Sequence, residues 1–160
     1  MAGNFLIPSE AIVNKIYVFR NKKVMLDRDL AKLYGVQARI LNQAVKRNIK
    51  RFPEDFMFQL NREEVKIARS QFVTLQKGGW GNFAFTEQGV AMLSSVLNSD
   101  RAISVNIQII RTFTKIRELL ATNEALQRKM MDMERKYDGK IKEIFDTLGF
   151  LLEDKIKKLN

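Results

Sequence analysis

The sequence predicts an α+β chain: several helices around a small β-sheet, followed by a long C-terminal helix or coiled coil. Three observations lead there. Helix formers dominate the 160 residues, which contain only two prolines, Pro8 and Pro53. Runs rich in β-branched and aromatic residues interrupt the helical pattern at 12–19, 55–60 and 83–85. Apolar residues recur at alternating steps of three and four from Ile116 to Tyr137, the spacing of a helix that pairs along one stripe.

Ile12 to Phe19 (IVNKIYVF) and the VML beyond RNKK read as two strands around a polar turn at Arg20–Lys23. Asp27 is placed to cap the next helix, with Asp29 in its first turn, where acidic groups are favoured. That helix ends at Tyr34, because Gly35 accepts a left-handed conformation. A second helix starts near Gln37 and stops before Pro53, since the residue preceding a proline avoids helical geometry. DFMFQL (55–60) reads as a strand. Asn61 and Glu64 have capping-box spacing for a helix over 62–70. QKGGWGN (76–82) is a glycine-rich loop with the only Trp. After the strand at 83–85, Thr86 caps EQGVAMLSSVL, in which Val90, Ala91 and Leu93 face a core. Asn98–Asp100 break the chain and cap a further helix from Arg101.

The stripe Ile116, Leu119, Asn123, Leu126, Met130, Met133, Tyr137 is a heptad pattern. A second consecutive step of four, from Tyr137 to Ile141, marks a stutter or break at Asp138–Gly139. The pattern resumes at Ile141, Ile144, Leu148 and Leu151. The expected organisation is a globular part at 10–118 and a helical oligomerisation tail at 119–160, most simply forming a homodimer.

Composition narrows the function classes. The chain has no cysteine and no histidine, which removes disulfides, thiolate metal sites and the commonest general base. No glycine-rich phosphate loop or nucleophile motif is present. An enzyme, a cofactor and a bound metal are not expected. Neither a secretory signal nor a run of about 20 apolar residues is visible, so a soluble, cytoplasmic protein without a membrane partner is expected. The net charge is +10 and unevenly placed: +7 over 1–62, +2 over 63–118 and +1 over 119–160. A concentrated positive module is the electrostatic footprint of a nucleic-acid binder.

The segment LAKLYGVQARILNQAVKRNIKR (30–51) carries that charge. On a helix of ~100° per residue with Arg39 at zero, Gln43 lies at ~40°, Lys46 at ~340° and Lys50 at ~20°. Arg47 sits at one edge of this stripe and Asn42 at the other, with Ile40, Leu41, Ala44 and Val45 opposite. Upstream, Leu30, Ala31 and Tyr34 form an inner face, Gly35 makes the turn, and Leu41 and Ala44 anchor the second helix. A small residue, a glycine turn and apolar anchors at these offsets are the signature of a helix-turn-helix. Such a helix enters the major groove. Gln37, Arg39 and Gln43 are then placed for bases, and Asn42, at the stripe's edge, is a further DNA-binding candidate. Lys46, Arg47, Lys50 and Arg51 are placed for phosphates. Lys22 and Lys23 of the first turn are further DNA-binding candidates, and Lys77 of the glycine loop is a candidate wing residue touching the DNA backbone.

KKVMLDRDLAKLYGV (22–36), LNQAVKRNIKRFPEDFMFQL (41–60) and FAFTEQGVAMLSSVLNSDRAISVNIQIIRTF (83–113) together resemble the KilA-N-type DNA-binding domain. The nearest branch is the phage "ORF-six N-terminal" domain, related to Bro-N. The resemblance spans about 10–118. It implies an α+β domain with a helix-turn-helix-like unit, a phage or prophage setting, double-stranded DNA as partner, and no catalytic residue. VKRN (45–48) and KRFP (50–53) match the family's basic segment. The expected function is a sequence-specific DNA-binding regulator acting as a dimer. The alternative is an antirepressor-like module that binds and disables a repressor protein. RNA ranks third, since only Phe83 and Phe85 could offer stacking rings on a strand, and a solely structural role ranks last given the charge asymmetry.

Overall fold

The computed structural model describes residues 7–71 and 82–124, with Arg128 and the pair Gly139–Lys140. Helix α1 (Ser9–Val13) leads into a hairpin of β1 (Ile16–Phe19) and β2 (Lys22–Leu26). Helices α2 (Asp27–Tyr34) and α3 (Ala38–Arg47) follow, then a 3₁₀ turn (Ile49–Arg51) and β3 (Met57–Gln59). Helix α4 (Arg62–Gln71), β4 (Phe83–Thr86), α5 (Glu87–Val96), the long α6 (Asp100–Ala121) and a two-residue strand β5 (Gly139–Lys140) complete it. The α+β class is the one the sequence predicts.

All strand pairs are antiparallel, in the order β3-β4-β2-β1-β5. Phe19 faces Lys22, so the hairpin loop is only Arg20 and Asn21. Both have positive φ, 55° and 62°, as a tight type I′ loop requires. The strand expected from Ile12 begins only at Ile16. Residues before it form α1, whose Ile12 and Val13 are buried.

The sheet is covered on both faces, so β1 and β4 are buried at every position. Alternation divides the core in two. Ile16, Val18, Met25, Phe83 and Phe85 pack with side chains of α1, α2, α3, α5 and α6. Tyr17, Phe19, Val24, Leu26, Phe58 and Ala84 pack on the other face with Val65, Ile67 and Ala68 of α4. Burying each large side chain contributes about 1.5–3 kcal/mol. Phe83 and Phe85 lie beneath helices, which removes the exposed stacking platform that an RNA reading needs.

The expected caps form, with one exception. Asn61 and Glu64 exchange backbone hydrogen bonds of 2.8 and 2.9 Å. Thr86 accepts from the Gly89 N–H, and Ser99 from that of Ala102 at 3.1 Å. Asp27 does not cap α2; it is the first residue of the helix and is 1% exposed. Within α5, Val90 and Leu93 are buried as expected, whereas Ala91 is exposed.

Helix α6 ends at Ala121, inside the predicted stripe. The Thr122 hydroxyl bonds the carbonyls of Glu118 and Leu119, the local competition by which Thr weakens a helix end. Ile116 is fully buried in the domain core, and Leu119 and Leu120 pack against it. Gly139, where a break is expected, is extended and pairs with Val18 of β1. The remainder of the predicted coiled coil lies outside the described residues. Among the described residues, no helix is long and apolar enough to cross a membrane.

Candidate nucleic-acid interface

The candidate surface is built on the α2–α3 pair. Gly35 ends α2 in the left-handed region, φ 73° and ψ 30°, where a Cβ is disfavoured. The Val36 N–H returns to the Ala31 carbonyl at 3.0 Å, closing the turn in Schellman fashion. Arg101 of α6 covers this end and donates through Nε to the Leu33 carbonyl at 3.2 Å. Leu30, Ala31 and Tyr34 face the core as predicted. Tyr34 also donates its hydroxyl to Asn106, whose amide donates to the Val90 carbonyl at 2.7 Å. This buried chain joins α2, α6 and α5, and burial pushes the Tyr34 hydroxyl pKa well above its ordinary value.

Helix α3 buries Leu41, Asn42 and Val45. Asn42 is 2% exposed and donates through Nδ2 to Asp27 Oδ2 at 3.0 Å. It is therefore turned away from any DNA ligand, which corrects the expectation that it binds DNA. The side chain is polar because it meets a buried carboxylate. Asp27 also takes hydrogen bonds from the backbone of Arg28 and Phe83. Burial nonetheless dominates and raises its pKa above the ordinary 3.8.

Withdrawal of Asn42 rotates the working face of the helix. The residues left outside are Arg39, Ile40, Lys46 and Arg47, with Gln43 and Ala44 half-buried. In projection they fill an arc from ~340° through ~140°, centred past Gln43 rather than on Arg39. Ile40 was expected on the packed face and is 42% exposed. Ala44, expected as an anchor, sits at the far margin, and Val45 fills the core instead.

The remaining predicted residues can be placed one by one. Gln37 is the exposed residue preceding α3, and its side-chain oxygen accepts from Arg39 Nη2 at 3.3 Å. The helix stops at Arg47, where Asn48 turns its amide back onto the Ala44 carbonyl at 2.8 Å. Lys50 and Arg51 therefore ride on the 3₁₀ turn, both exposed, and Arg51 reaches the Ser95 hydroxyl at 3.4 Å. Lys22 is exposed and lines an open cleft of about 510 Å³ together with Ile49 of that turn. The hairpin and the basic turn thus share one rim. Lys23, next along β2, is half-buried, and successive strand residues face opposite ways. Lys77 lies outside the described residues.

From Gln37 to Arg51 the sequence has five cationic side chains and no anionic one. Here they stand on a helix and turn held from behind by Leu41, Val45, Phe52 and the Asp27–Asn42 bond. The arrangement presents hydrogen-bond donors and positive charge. It can hold a polyanion and bond acceptors in a groove.

Fold and surface together define a small α+β domain that presents one basic helical face. The chain belongs to the ORF6N domain family, whose model matches residues 14–96, more than half of its length. It is a phage-type domain in the KilA-N and Bro-N area. The match stops at Val96, short of the 118 that the resemblance implied, although α6 contributes Ala102, Val105, Ile109, Phe113 and Ile116 to the same core. No curated protein and no solved structure matches the chain.

Proposed function

We propose that this protein is a sequence-specific double-stranded DNA-binding regulator of phage or prophage type, acting as a homodimer in the bacterial cytoplasm. The observation that carries the reading is the outer face of α3 and its following turn. Arg39, Lys46, Arg47, Lys50 and Arg51 are all exposed there, around Gln43, on a helix whose inner face is locked into the core. Helix α3 enters the major groove. Gln37, Arg39 and Gln43 meet base edges, and Lys46, Arg47, Lys50, Arg51 and Lys22 hold phosphates. Two copies joined through the C-terminal helix would set two such helices on two half-sites.

The test is duplex affinity over a salt series for the full chain, Arg39→Ala and Lys46→Ala. Binding that is steeply salt-dependent in the wild type and weakened in both variants supports the reading. Salt-insensitive binding, or no loss on either substitution, defeats it.

A second reading is an antirepressor-like module that docks on a repressor. Exposed Ile103 and Ile107, one turn apart on α6, favour it. Retention of a purified phage repressor by the full chain, lost in Ile103→Lys with Ile107→Lys, distinguishes this reading from DNA binding.

A further inference from the structure

We propose that Ile40 reads the C5-methyl group of thymine in the major groove, a specificity contact that rests on the DNA reading above. Among the described residues the exposed large hydrophobics are Ile40, Ile49, Ile103 and Ile107. Ile40 is the one on the basic face of α3. It lies at ~100° in projection, beside Arg47 at ~80° and next to Gln43 at ~40°. Its neighbours in the core are already supplied by Leu41 and Val45, both 0% exposed.

A branched alkyl group has no donor for a phosphate and no acceptor for a base amino group. The major-groove feature it complements is the thymine methyl, which has no counterpart on the other three bases. The surroundings argue for DNA over an apolar protein surface. The segment from Gln37 to Arg51 carries no acidic residue, and Ile40 shares the exposed face of α3 with Arg39, Lys46 and Arg47. Ile40 is also the third residue of α3, within the first turns that reach base edges.

The experiment uses the duplex that the full-length protein enriches most strongly from a random pool. It is synthesised with thymine, and again with deoxyuracil at each thymine in turn, which removes one methyl group. At one or more positions the wild type is expected to bind the deoxyuracil duplex about fourfold more weakly, the factor for one buried methyl. Ile40→Ala is expected to bind the two duplexes equally there, and Ile40→Val to retain part of the discrimination. Uniform indifference of the wild type to deoxyuracil overturns the proposal, as does a deoxyuracil effect that persists in Ile40→Ala. Either result leaves the DNA reading standing. If the wild type enriches no duplex, the DNA reading fails and the proposal falls with it.

Discussion

Asn42 of α3 donates through Nδ2 to Oδ2 of Asp27, the first residue of α2, at 3.0 Å in a site closed to solvent. This bond fixes which side of α3 turns inward. It separates residues of one basic segment into a structural set and an exposed set, and the two sets respond differently to mutation.

Asn42→Ala leaves a buried carboxylate oxygen without its side-chain donor. A loss of about 1–3 kcal/mol is expected in denaturant unfolding, with duplex affinity unchanged where the variant is folded. Lys46→Ala should do the reverse. Stability stays within about 0.5 kcal/mol, and the slope of log affinity against log salt becomes shallower by about one unit. A loss of duplex affinity in the folded Asn42→Ala protein would restore Asn42 to the interface.

Asp27 supplies a pH signature. Burial raises its folded pKa above the ordinary 3.8, against the lowering effect of hydrogen bonds from Asn42, Phe83 and Arg28. The folded state therefore holds this proton more tightly than the unfolded state. The resulting stabilisation is complete below pH 3.8 and is lost as pH rises through the raised pKa. Relative to Asp27→Asn, the wild type should lose stability across that rise. Parallel pH profiles of the two proteins would contradict this.

Glu64 carries the opposite sign. Its burial opposes ionisation, but hydrogen bonds from Arg20 at 2.9 Å and from the Asn61 backbone outweigh it. Its pKa is held below 4.5, so its contribution is present above that value and lost as pH falls. Glu64→Gln is expected to cost about 1–2 kcal/mol near neutrality, with the difference from wild type closing in acid. Equal stability of the two proteins at neutral pH would show that the Arg20–Glu64 pair contributes nothing.

Gly89 tests how closely α5 approaches the chain before β3. A Cβ at this position would lie 2.0 Å from the Phe56 carbonyl oxygen, and that oxygen also accepts from the Thr86 N–H at 3.0 Å. Gly89→Ala should therefore destabilise by about 2 kcal/mol or more, although alanine is ordinarily the better helix former. Thermal unfolding that matches the wild type would mean the two segments can separate freely.

Much of this architecture is legible locally. The capping box at Asn61 and Glu64, the caps at Thr86 and Ser99, and the left-handed Gly35 each depend on residues within a few positions of one another. The start of β1 is less legible. Ile12 and Val13 suit a strand by composition, yet they pack in α1 against the core. Tertiary burial overrides local preference there.

The candidate surface shows the same division. Charge and spacing alone mark Arg39, Gln43, Lys46 and Arg47, because a helical period and an absence of acids are visible in a linear string. Asn42 and Ile40 are misplaced by the same projection, because polarity is an unreliable guide where a partner is remote. Asn42 finds Asp27 fifteen residues away, and Ile40 is left outside because Leu41 and Val45 already occupy the interior.

The sequence by itself determined the α+β class, the two helices around Gly35, and the basic character of the second. Periodicity, capping chemistry and net charge are local properties that survive without a fold. Only the tertiary structure decided the rotation of α3. That rotation depends on which side chain can satisfy a buried carboxylate from another helix, and such a contact exists only once the chain has packed.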